Sequence, residues 1–382
     1  MDFSFTAEQN AFREMIADYA KKELLPNYTR WDREREFPRG IWKRLSELGV
    51  TGMLVNEEYG GAGGDFVTMG IAAEEIGKAD FNAAYTTIIG GIVGIFLQEF
   101  AQGPVRDTYL PRLAQGDYII GVGLTEPGGG SDAAAMTTVA KREGDEYVLS
   151  GEKSGVSFVP VADAFIVFAK TDPEAGARGV SAFFVPMDSD GVSRTELEDM
   201  GNRPIKRGSV FFDGVRVPEE YRIGEEGRAF SMIMNAFDFS RAIIALQCVG
   251  AAEQSLTETA EYVKQREAFG QPLAKFQGVS FDIAESHAHL ELVRLYSYHT
   301  LWLRQSGMAH TKQAAICKWL GPKIAADVIH RCMILNGHYG YTQELPLEQR
   351  LRDVIGLEIG DGTSHIQKLI IARELLGREF GG

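Results

Sequence analysis

Hydrophobic residues recur at helical spacing through the first third of the chain. One such stripe consists of Phe12, Met15, Ile16 and Tyr19. Thr6 and Gln9 lie just before it with the spacing of a capping box, in which the two side chains satisfy free backbone N–H groups. Further periodic segments cover residues 66–101 and 104–115. We therefore predict an α-helical domain over residues 1–117.

The hydrophobic pattern changes near residue 118, where short runs rich in β-branched and aromatic residues begin. Gly-Asp, Asp-Pro and Asp-Gly turns separate these runs, as is typical of a compact antiparallel β domain. The runs comprise residues 118–124, 146–149, 164–168, 181–185 and 209–212. This pattern predicts a middle β domain over residues 118–226.

Long helical patterns return in residues 244–262, 279–305 and 309–335. Their lengths predict a helical bundle over residues 227–382. The predicted fold class is therefore α+β, with an N-terminal helical domain, a middle antiparallel β domain and a C-terminal helical bundle.

Composition narrows the classes of function. The chain has 382 residues and a formal net charge of −14, so it lacks the basic surface that attracts nucleic acids and anionic membranes. No apolar run approaches the ~18 residues that cross a bilayer, and the N-terminus shows no leader pattern. The cysteines are scattered and the histidines lack metal-ligand spacing. These features predict a cytoplasmic protein without membrane insertion, nucleic acid or metal.

Asp361 lies between Gly360 and Gly362, just before the last predicted helix. A carboxylate flanked by glycines can approach a ligand closely, because its neighbours carry no side chains. Thr363 and Ser364 then offer hydroxyl groups that can cap the helix. An aspartate that only forms the turn or caps the helix explains the same local pattern.

Two glycine-rich segments expose backbone N–H groups. The segment 124–132, Leu-Thr-Glu-Pro-Gly-Gly-Gly-Ser-Asp, ends the first strand-like run and could cradle a planar polar ligand. The loop 57–64 follows no clear strand and lacks the lysine of a phosphate-binding loop, which argues against a phosphate site there.

Four motifs in this order resemble signatures of the flavin-dependent acyl-CoA dehydrogenases. They are the segments 124–132, Gly-Glu-Lys-Ser-Gly-Val-Ser at 151–157, Arg266 to Gln277, and Arg352 to Ser364. The resemblance extends over essentially the whole chain. It implies that family's helix, sheet and helix domain order with a C-terminal four-helix bundle, FAD as cofactor and an acyl-CoA thioester as substrate.

The resemblance implies two groups of cofactor contacts. Leu124 and Thr125 would face the flavin pyrimidine, and Ser157 would form a hydrogen bond near flavin N5. Other contacts would reach FAD bound mainly to a neighbouring subunit, and they comprise Arg266, Phe269, Gln277 and Gly337. Thr363 is also expected at the cofactor. Sharing FAD between subunits implies a homo-oligomer, usually a homotetramer, with an electron-transferring flavoprotein as electron acceptor.

The resemblance also implies the catalytic and substrate contacts. Asp361 stands where many members carry the glutamate that removes the substrate α-proton, while Ser131 and Arg241 would contact CoA. Some relatives place their base at the position of Ser240, which cannot act as one. Gly155 replaces a usual tryptophan beside the flavin, and His338 replaces a usual glycine.

The implied chemistry is α,β-dehydrogenation. Asp361 would take the α-proton as the β-hydride passes to flavin N5, while its backbone N–H and a ribityl hydroxyl stabilise the enolate oxygen. Aspartate is one methylene shorter than glutamate, so an α-carbon carrying a ring or branch fits better. Gly90 and Gly91 lie in a helix that lines the acyl pocket in this family, although close helix packing explains them equally well.

These features predict oxidation of cyclohexane-1-carboxyl-CoA to cyclohex-1-ene-1-carboxyl-CoA, as in the members of alicyclic and benzoate metabolism. Three alternatives remain open. They are a short- or branched-chain acyl-CoA dehydrogenase, a nitroalkane-type flavin oxidase on the same fold, and a flavoprotein without catalytic activity.

Overall fold

The structure is a computed structural model that describes residues 4–377 and 379. The predicted lack of a leader rests partly on Met1–Phe3, which lie outside these residues. The N-terminal third is helical, as predicted, and the Thr6–Gln9 capping box forms with both hydrogen bonds at 3.1 Å. Its α-helices are α1 (Ala7–Tyr19), α2 (Tyr28–Glu34), α3 (Arg39–Glu47), α4 (Phe66–Ala79), α5 (Tyr85–Phe100) and α6 (Leu110–Ala114).

The segment 66–101 is helical, as predicted, and it forms two helices because the chain turns between α4 and α5. Asp80 ends α4 in an extended conformation, and its Oδ1 accepts hydrogen bonds from Asn82 N at 2.7 Å and Ala83 N at 3.0 Å. A short polar side chain that binds nearby backbone N–H groups in this way competes with the helix. α5 is apolar on nearly every face and is buried accordingly.

The middle of the chain forms the predicted sheet, with three additional strands. The strands are β1 (Ile120–Gly123), β2 (Val139–Glu143), β3 (Glu146–Val156), β4 (Ala164–Lys170), β5 (Val180–Pro186), β6 (Val192–Glu196), β7 (Gly208–Pro218) and β8 (Arg222–Ile223). The additional strands are β2, β6 and β8. Their order is β6-β7-β3-β2-β4-β5-β8, with β1 beside β4. β1 runs parallel to β4, which corrects the prediction of a purely antiparallel sheet. Every residue of β4 is buried, as expected for a strand covered on both faces.

The C-terminal part is helical, as predicted. It begins with α7 (Ala229–Gln265), followed by the hairpin strands β9 (Glu267–Ala268) and β10 (Gln271–Pro272), then by α8 (Gln277–Gln305), α9 (Thr311–Leu335), α10 (Leu347–Ile359) and α11 (Ser364–Leu376). Among the described residues, α7 alone has the length and apolar composition of a membrane-crossing helix. Inside the fold, 67% of its most apolar window is buried.

Asp353 on α10 joins three distant parts of the chain. Its carboxylate accepts hydrogen bonds from Tyr28 Oη at 2.8 Å, Asn82 Nδ2 at 3.0 Å and Asn202 N at 2.6 Å. Burial raises the pKa of Asp353 to about 7. The N-terminal helices and the sheet region are thereby fastened to α10, whose end carries the turn with Asp361.

Candidate active site

Asp361 lies in the turn between α10 and α11. Its φ is +54°, a left-handed conformation that is rare for residues with a side chain and is tolerated by Asp better than by most. Thr363 Oγ1 caps α11 by accepting a hydrogen bond from Ile366 N at 3.4 Å. Because Thr363 is the cap, helix capping does not account for the aspartate. Residues held in such conformations cluster at functional sites.

Two buried side chains hold the backbone of this turn. Lys318 Nζ on α9 donates hydrogen bonds to Leu357 O at 2.6 Å and to Gly362 O at 3.1 Å. Gln367 Nε2 on α11 donates to Asp361 O at 3.2 Å and to Gly362 O at 3.0 Å. The turn carbonyls are therefore satisfied inside the protein, and the Asp361 side chain is left to make other contacts.

Ser240 on α7 contacts the Asp361 carboxylate. Its Oγ lies 2.9 Å from Asp361 Oδ2 and 3.1 Å from Phe237 O. A serine hydroxyl has one proton, so it donates to one of these acceptors at a time. Ser240 therefore orients the aspartate from the position where some relatives place their own base.

Arg241 is buried in the interior next to this turn. Its guanidinium pairs with Asp238 on the same helix, and Thr311 Oγ1 donates to Asp238 Oδ2 at 2.6 Å. Burial lowers the pKa of Arg241, while the negative charges of Asp238 and Asp361 act in the opposite direction. The structure thus places Arg241 beside the predicted base, and its contact with CoA stays a prediction.

The structure brings together the two segments expected at the flavin pyrimidine and N5. Leu124 and Thr125 follow β1, and Ser157 follows β3. Ser154 N donates a hydrogen bond to Thr125 O at 2.9 Å, which joins the two segments. Leu124 is buried, whereas Thr125 is exposed and Ser157 is half-buried, so both hydroxyls are accessible to a ligand.

A buried ion pair that the sequence analysis missed fixes these segments. Lys153 Nζ on β3 lies 2.7 Å from Glu126 Oε1 and donates to Leu124 O at 3.2 Å. Burial alone would raise the pKa of Glu126, but hydrogen bonds from Lys153, Thr138 and Thr137 lower it to about 2. Glu126 and Lys153 each lie within one of two motifs that resemble the family. This location was the feature of the sequence that could have identified the pair. The pair positions the loop and does not face the ligand.

Gly155 opens space beside these hydroxyl groups. Its φ is +67°, and a Cβ placed there would meet only Arg207 Nη1, at 4.0 Å, among the described residues. Asp199 holds Arg207 through hydrogen bonds of 2.8 and 2.6 Å. The tryptophan expected from the family is therefore replaced by open space bordered by a guanidinium.

The helix glycines are packed tightly. A Cβ at Gly90 would lie 2.7 Å from Thr51 O, and one at Gly91 would lie 2.5 Å from Phe239 Cε1. At Gly90 the neighbour is backbone, so the close-packing explanation is sufficient there. At Gly91 the neighbour is a ring on α7, next to Ser240. A contact of either glycine with an acyl group stays a prediction.

The residues expected to reach a neighbouring subunit's cofactor lie on the surface. Phe269 and Gly270 form the two-residue turn between β9 and β10, both with positive φ. The Phe269 side chain is 96% exposed. Arg266, Gln277 and Gly337 are exposed as well, and so is Ser131 on its loop. None of these residues is near Asp361 in the sequence, and their contact with a ligand or a second chain stays a prediction.

These features fit a flavin. The accessible hydroxyls of Thr125 and Ser157 lie beside the open space at Gly155. Added Cβ atoms at Gly128 and Gly129 would also meet nothing within 4 Å among the described residues, so backbone N–H groups there can be approached. Arg266 supplies a planar donor group suited to phosphate.

Comparison with known proteins identifies the family. The N-terminal, middle and C-terminal domains of acyl-CoA dehydrogenase match residues 6–117, 121–215 and 227–376. A short-chain specific acyl-CoA dehydrogenase of Clostridium acetobutylicum is 36% identical over 381 residues, covering 98% of this chain and 100% of that protein.

Solved structures agree over the full length. Butyryl-CoA dehydrogenase from Megasphaera elsdenii superposes with a TM-score of 0.95 at 33% identity, covering 98% of this chain and 100% of that one. A chain from a study of the electron transferring flavoprotein of Acidaminococcus fermentans superposes with a TM-score of 0.96 at 31% identity, with the same coverage of both chains. The chain therefore belongs to the acyl-CoA dehydrogenase family and is an FAD-dependent oxidoreductase.

Proposed function

We propose that this protein oxidises an acyl-CoA at its α and β carbons, with Asp361 as the base that removes the α-proton. The observation that carries the proposal is the placement of Asp361: a carboxylate on a left-handed turn, with its backbone fixed by Lys318 and Gln367 and one oxygen oriented by Ser240. A base held in one place by its surroundings costs no reorganisation when the proton moves.

The remaining residues have supporting roles in this mechanism. The Asp361 N–H donates to the thioester oxygen as enolate charge develops, and FAD, when bound, would supply a ribityl hydroxyl as a second donor. Thr125 and Ser157 would hold the flavin, which would supply the acceptor for the β-hydride. Ser131 and Arg241 are proposed contacts of the CoA portion. The α-proton goes to Asp361 and the β-hydride would go to the flavin, which accounts for the two electrons that the thioester loses.

We propose cyclohexane-1-carboxyl-CoA as the substrate, oxidised to cyclohex-1-ene-1-carboxyl-CoA. The choice of substrate depends on how far the carboxylate of Asp361 reaches toward the α-carbon. Aspartate ends one methylene short of glutamate, and an error of ~1 Å in placing a reacting group can cost about a hundredfold in rate. A ring at the α-carbon fills the acyl site more fully and brings its single α-proton toward Asp361.

A short-chain acyl-CoA is the second candidate. It is favoured by the similarity to short-chain specific and butyryl-CoA dehydrogenases. It is favoured also by the backbone contact at Gly90, which gives a reason for that glycine other than a wide pocket. Anaerobic mixing of FAD-loaded protein with a panel of acyl-CoAs separates the two candidates. Fastest flavin bleaching by the cyclohexane thioester supports the ring, and fastest bleaching by butyryl-CoA overturns it.

The same experiment addresses the oxidase alternative. A nitroalkane-type oxidase predicts bleaching by nitroalkanes without CoA, followed by rapid reoxidation in air. Our proposal predicts bleaching by thioesters and slow reoxidation by oxygen. An electron-transferring flavoprotein is the proposed acceptor, and the flavin of such a partner should be reduced when it is added to the bleached enzyme.

We further propose a homotetramer in which FAD is shared between subunits. Phe269 combines an almost fully exposed ring with a strained positive φ at a hairpin tip, an arrangement that gains stability if another chain or cofactor covers it. Tyr341 is 90% exposed and adjoins the motif of Gly337. A cytoplasmic location is proposed from the free, buried thiols of Cys248, Cys317 and Cys332.

A further inference from the structure

Lys318 is a charged residue enclosed by the fold at the back of the proposed active site. It lies on α9 and is 1% exposed. A buried ammonium group is unfavourable unless partners compensate for the lost water. Its partners here are two backbone carbonyls, at 2.6 Å from Leu357 O and 3.1 Å from Gly362 O.

The two acceptors of Lys318 lie on either side of the base. Leu357 is in the last turn of α10, whose carbonyls lack partners within the helix. Gly362 follows Asp361 directly. One ammonium therefore bridges the end of the helix and the far side of the turn, so that the intervening residues 358–361 are held between two fixed points. A side chain that only capped the end of α10 would need a contact with Leu357 O and no contact with Gly362 O.

The electrostatic surroundings of Lys318 include the base. Burial lowers the pKa of Lys318 to about 8, although the negative charge of Asp361 opposes that change. The other titratable groups that act on it are Cys248 and Arg241 on α7 and Glu358 on α10. The ammonium charge thus faces the turn that carries the proposed base, and an apolar residue could fill the same volume without it.

We infer that Lys318 is a positioning residue, which fixes the Asp361 turn through Leu357 O and Gly362 O so that the carboxylate meets the substrate α-proton. This inference rests on the proposed function of Asp361. Lys318 does not itself touch substrate or cofactor. Its loss should therefore affect proton removal and the mobility of the turn, while FAD binding and thioester binding are retained.

Two substitutions test the inference, with a matched control on the same helix. Lys318→Met removes the donors and keeps a similar length, while Lys318→Arg keeps both donors and charge. Lys323→Met is the control, because Lys323 is exposed on α9 and pairs with Asp327 at 3.0 Å. FAD content, affinity for an unreactive alkyl-CoA thioether, and amide hydrogen exchange of residues 360–366 are measured for each variant.

We expect Lys318→Met to bind FAD and the thioether as the wild type does, but to exchange the amides of residues 360–366 at least tenfold faster. Flavin bleaching should slow by about a hundredfold, the order expected for a base misplaced by ~1 Å. Its isotope effect with an α-deuterated acyl-CoA should rise as proton removal becomes the slow step. Lys318→Arg should restore part of the rate, and Lys323→Met should match the wild type.

Unchanged amide exchange in Lys318→Met would overturn the inference, as would a rate loss that follows lost FAD or lost thioether binding. The exchange measurement needs no turnover, so it separates this inference from the proposed function. If no acyl-CoA bleaches the wild type while the turn still loosens in Lys318→Met, the proposed reaction fails and the structural role of Lys318 stands.

Discussion

Ser240 Oγ lies 2.9 Å from Asp361 Oδ2, so a hydroxyl on α7 and the carboxylate after α10 share a hydrogen bond across two helices. The two residues are 121 positions apart in the chain. This contact orients the carboxylate of the proposed base from α7.

Replacing Ser240 with alanine removes that donor. Loss of a hydrogen bond to a charged group costs roughly 1.5 kcal/mol, which corresponds to about a tenfold change in rate. We expect anaerobic bleaching to slow by about tenfold in Ser240→Ala, because the carboxylate is no longer held in one orientation. Ser231→Ala is the control, since Ser231 is exposed on the same helix and donates to Arg228 O. Equal bleaching rates for Ser240→Ala and wild type would contradict the orienting role.

Lengthening the base tests the argument about its reach. Asp361→Glu extends the carboxylate by one methylene toward the place expected for a straight-chain α-carbon. We expect the ratio of the bleaching rate with butyryl-CoA to that with cyclohexane-1-carboxyl-CoA to rise at least tenfold. The longer carboxylate should align better with the straight chain and crowd the ring. The anaerobic rates of both thioesters are measured for wild type and variant. An unchanged ratio would show that the length of the base does not determine which substrate is preferred.

Phe269 tests the proposed sharing of FAD between subunits. Its ring makes an edge contact with Phe276 at a centroid distance of 6.2 Å, but it is otherwise exposed, so Phe269→Ala should leave the stability of an isolated chain nearly unchanged. We expect the variant to retain at least tenfold less FAD after gel filtration and to dissociate at a higher concentration than the wild type. Native mass spectrometry with and without FAD measures both effects. Full FAD retention in an intact tetramer would argue against the contact.

The stability of the fold should depend on pH through two buried carboxylates. Burial raises the pKa of Asp80 to about 7, despite its hydrogen bonds from Ala83 and Asn82, and it does the same for Asp353. The folded chain therefore binds protons that the unfolded chain releases above about pH 4, so unfolding becomes easier as the pH rises toward 7. The pKa of Glu126 is lowered instead, so its ionised carboxylate stabilises the folded chain. That contribution is lost only as the pH falls below about 4.5.

Urea unfolding between about pH 5 and pH 7 isolates the effect of the two aspartates. We expect the midpoint to fall as the pH rises in the wild type. In Asp80→Asn the fall should be shallower, because the amide keeps the acceptor used by Asn82 and Ala83 but does not titrate. A wild-type midpoint that rises over this range would show that other groups dominate.

Much of this architecture could be predicted from the sequence, because its elements carry strong local patterns. The long stripes of the C-terminal helices and the apolar run of β4 predict those elements directly. Strands β2 and β6 were missed, since their residues are mostly exposed and polar and resemble loops. The parallel pairing of β1 with β4 could not be inferred, because it depends on which strands meet in space.

The residues of the proposed site likewise divide into those that the sequence could predict and those that required the structure. Asp361, Thr125 and Ser157 lie in continuous motifs, so the resemblance identifies them. Lys318 contacts Leu357 and Gly362, 39 and 44 positions away, and in the sequence it is one lysine within an ordinary helical pattern. Its importance arises from burial next to the turn, which no local spacing indicates. Ser240 could be excluded as a base from its chemistry, but its hydrogen bond to Asp361 required the structure.

The most direct test of the account is anaerobic flavin bleaching in wild type and Asp361→Asn, each loaded with FAD and mixed with the acyl-CoA that the wild type oxidises fastest. The amide keeps the size of the side chain but cannot accept the α-proton as a base. We predict that the variant holds FAD and binds the thioester, yet shows no bleaching on the time scale of the wild type. Bleaching of Asp361→Asn at a rate near that of the wild type would contradict the assignment of Asp361 and place the base elsewhere.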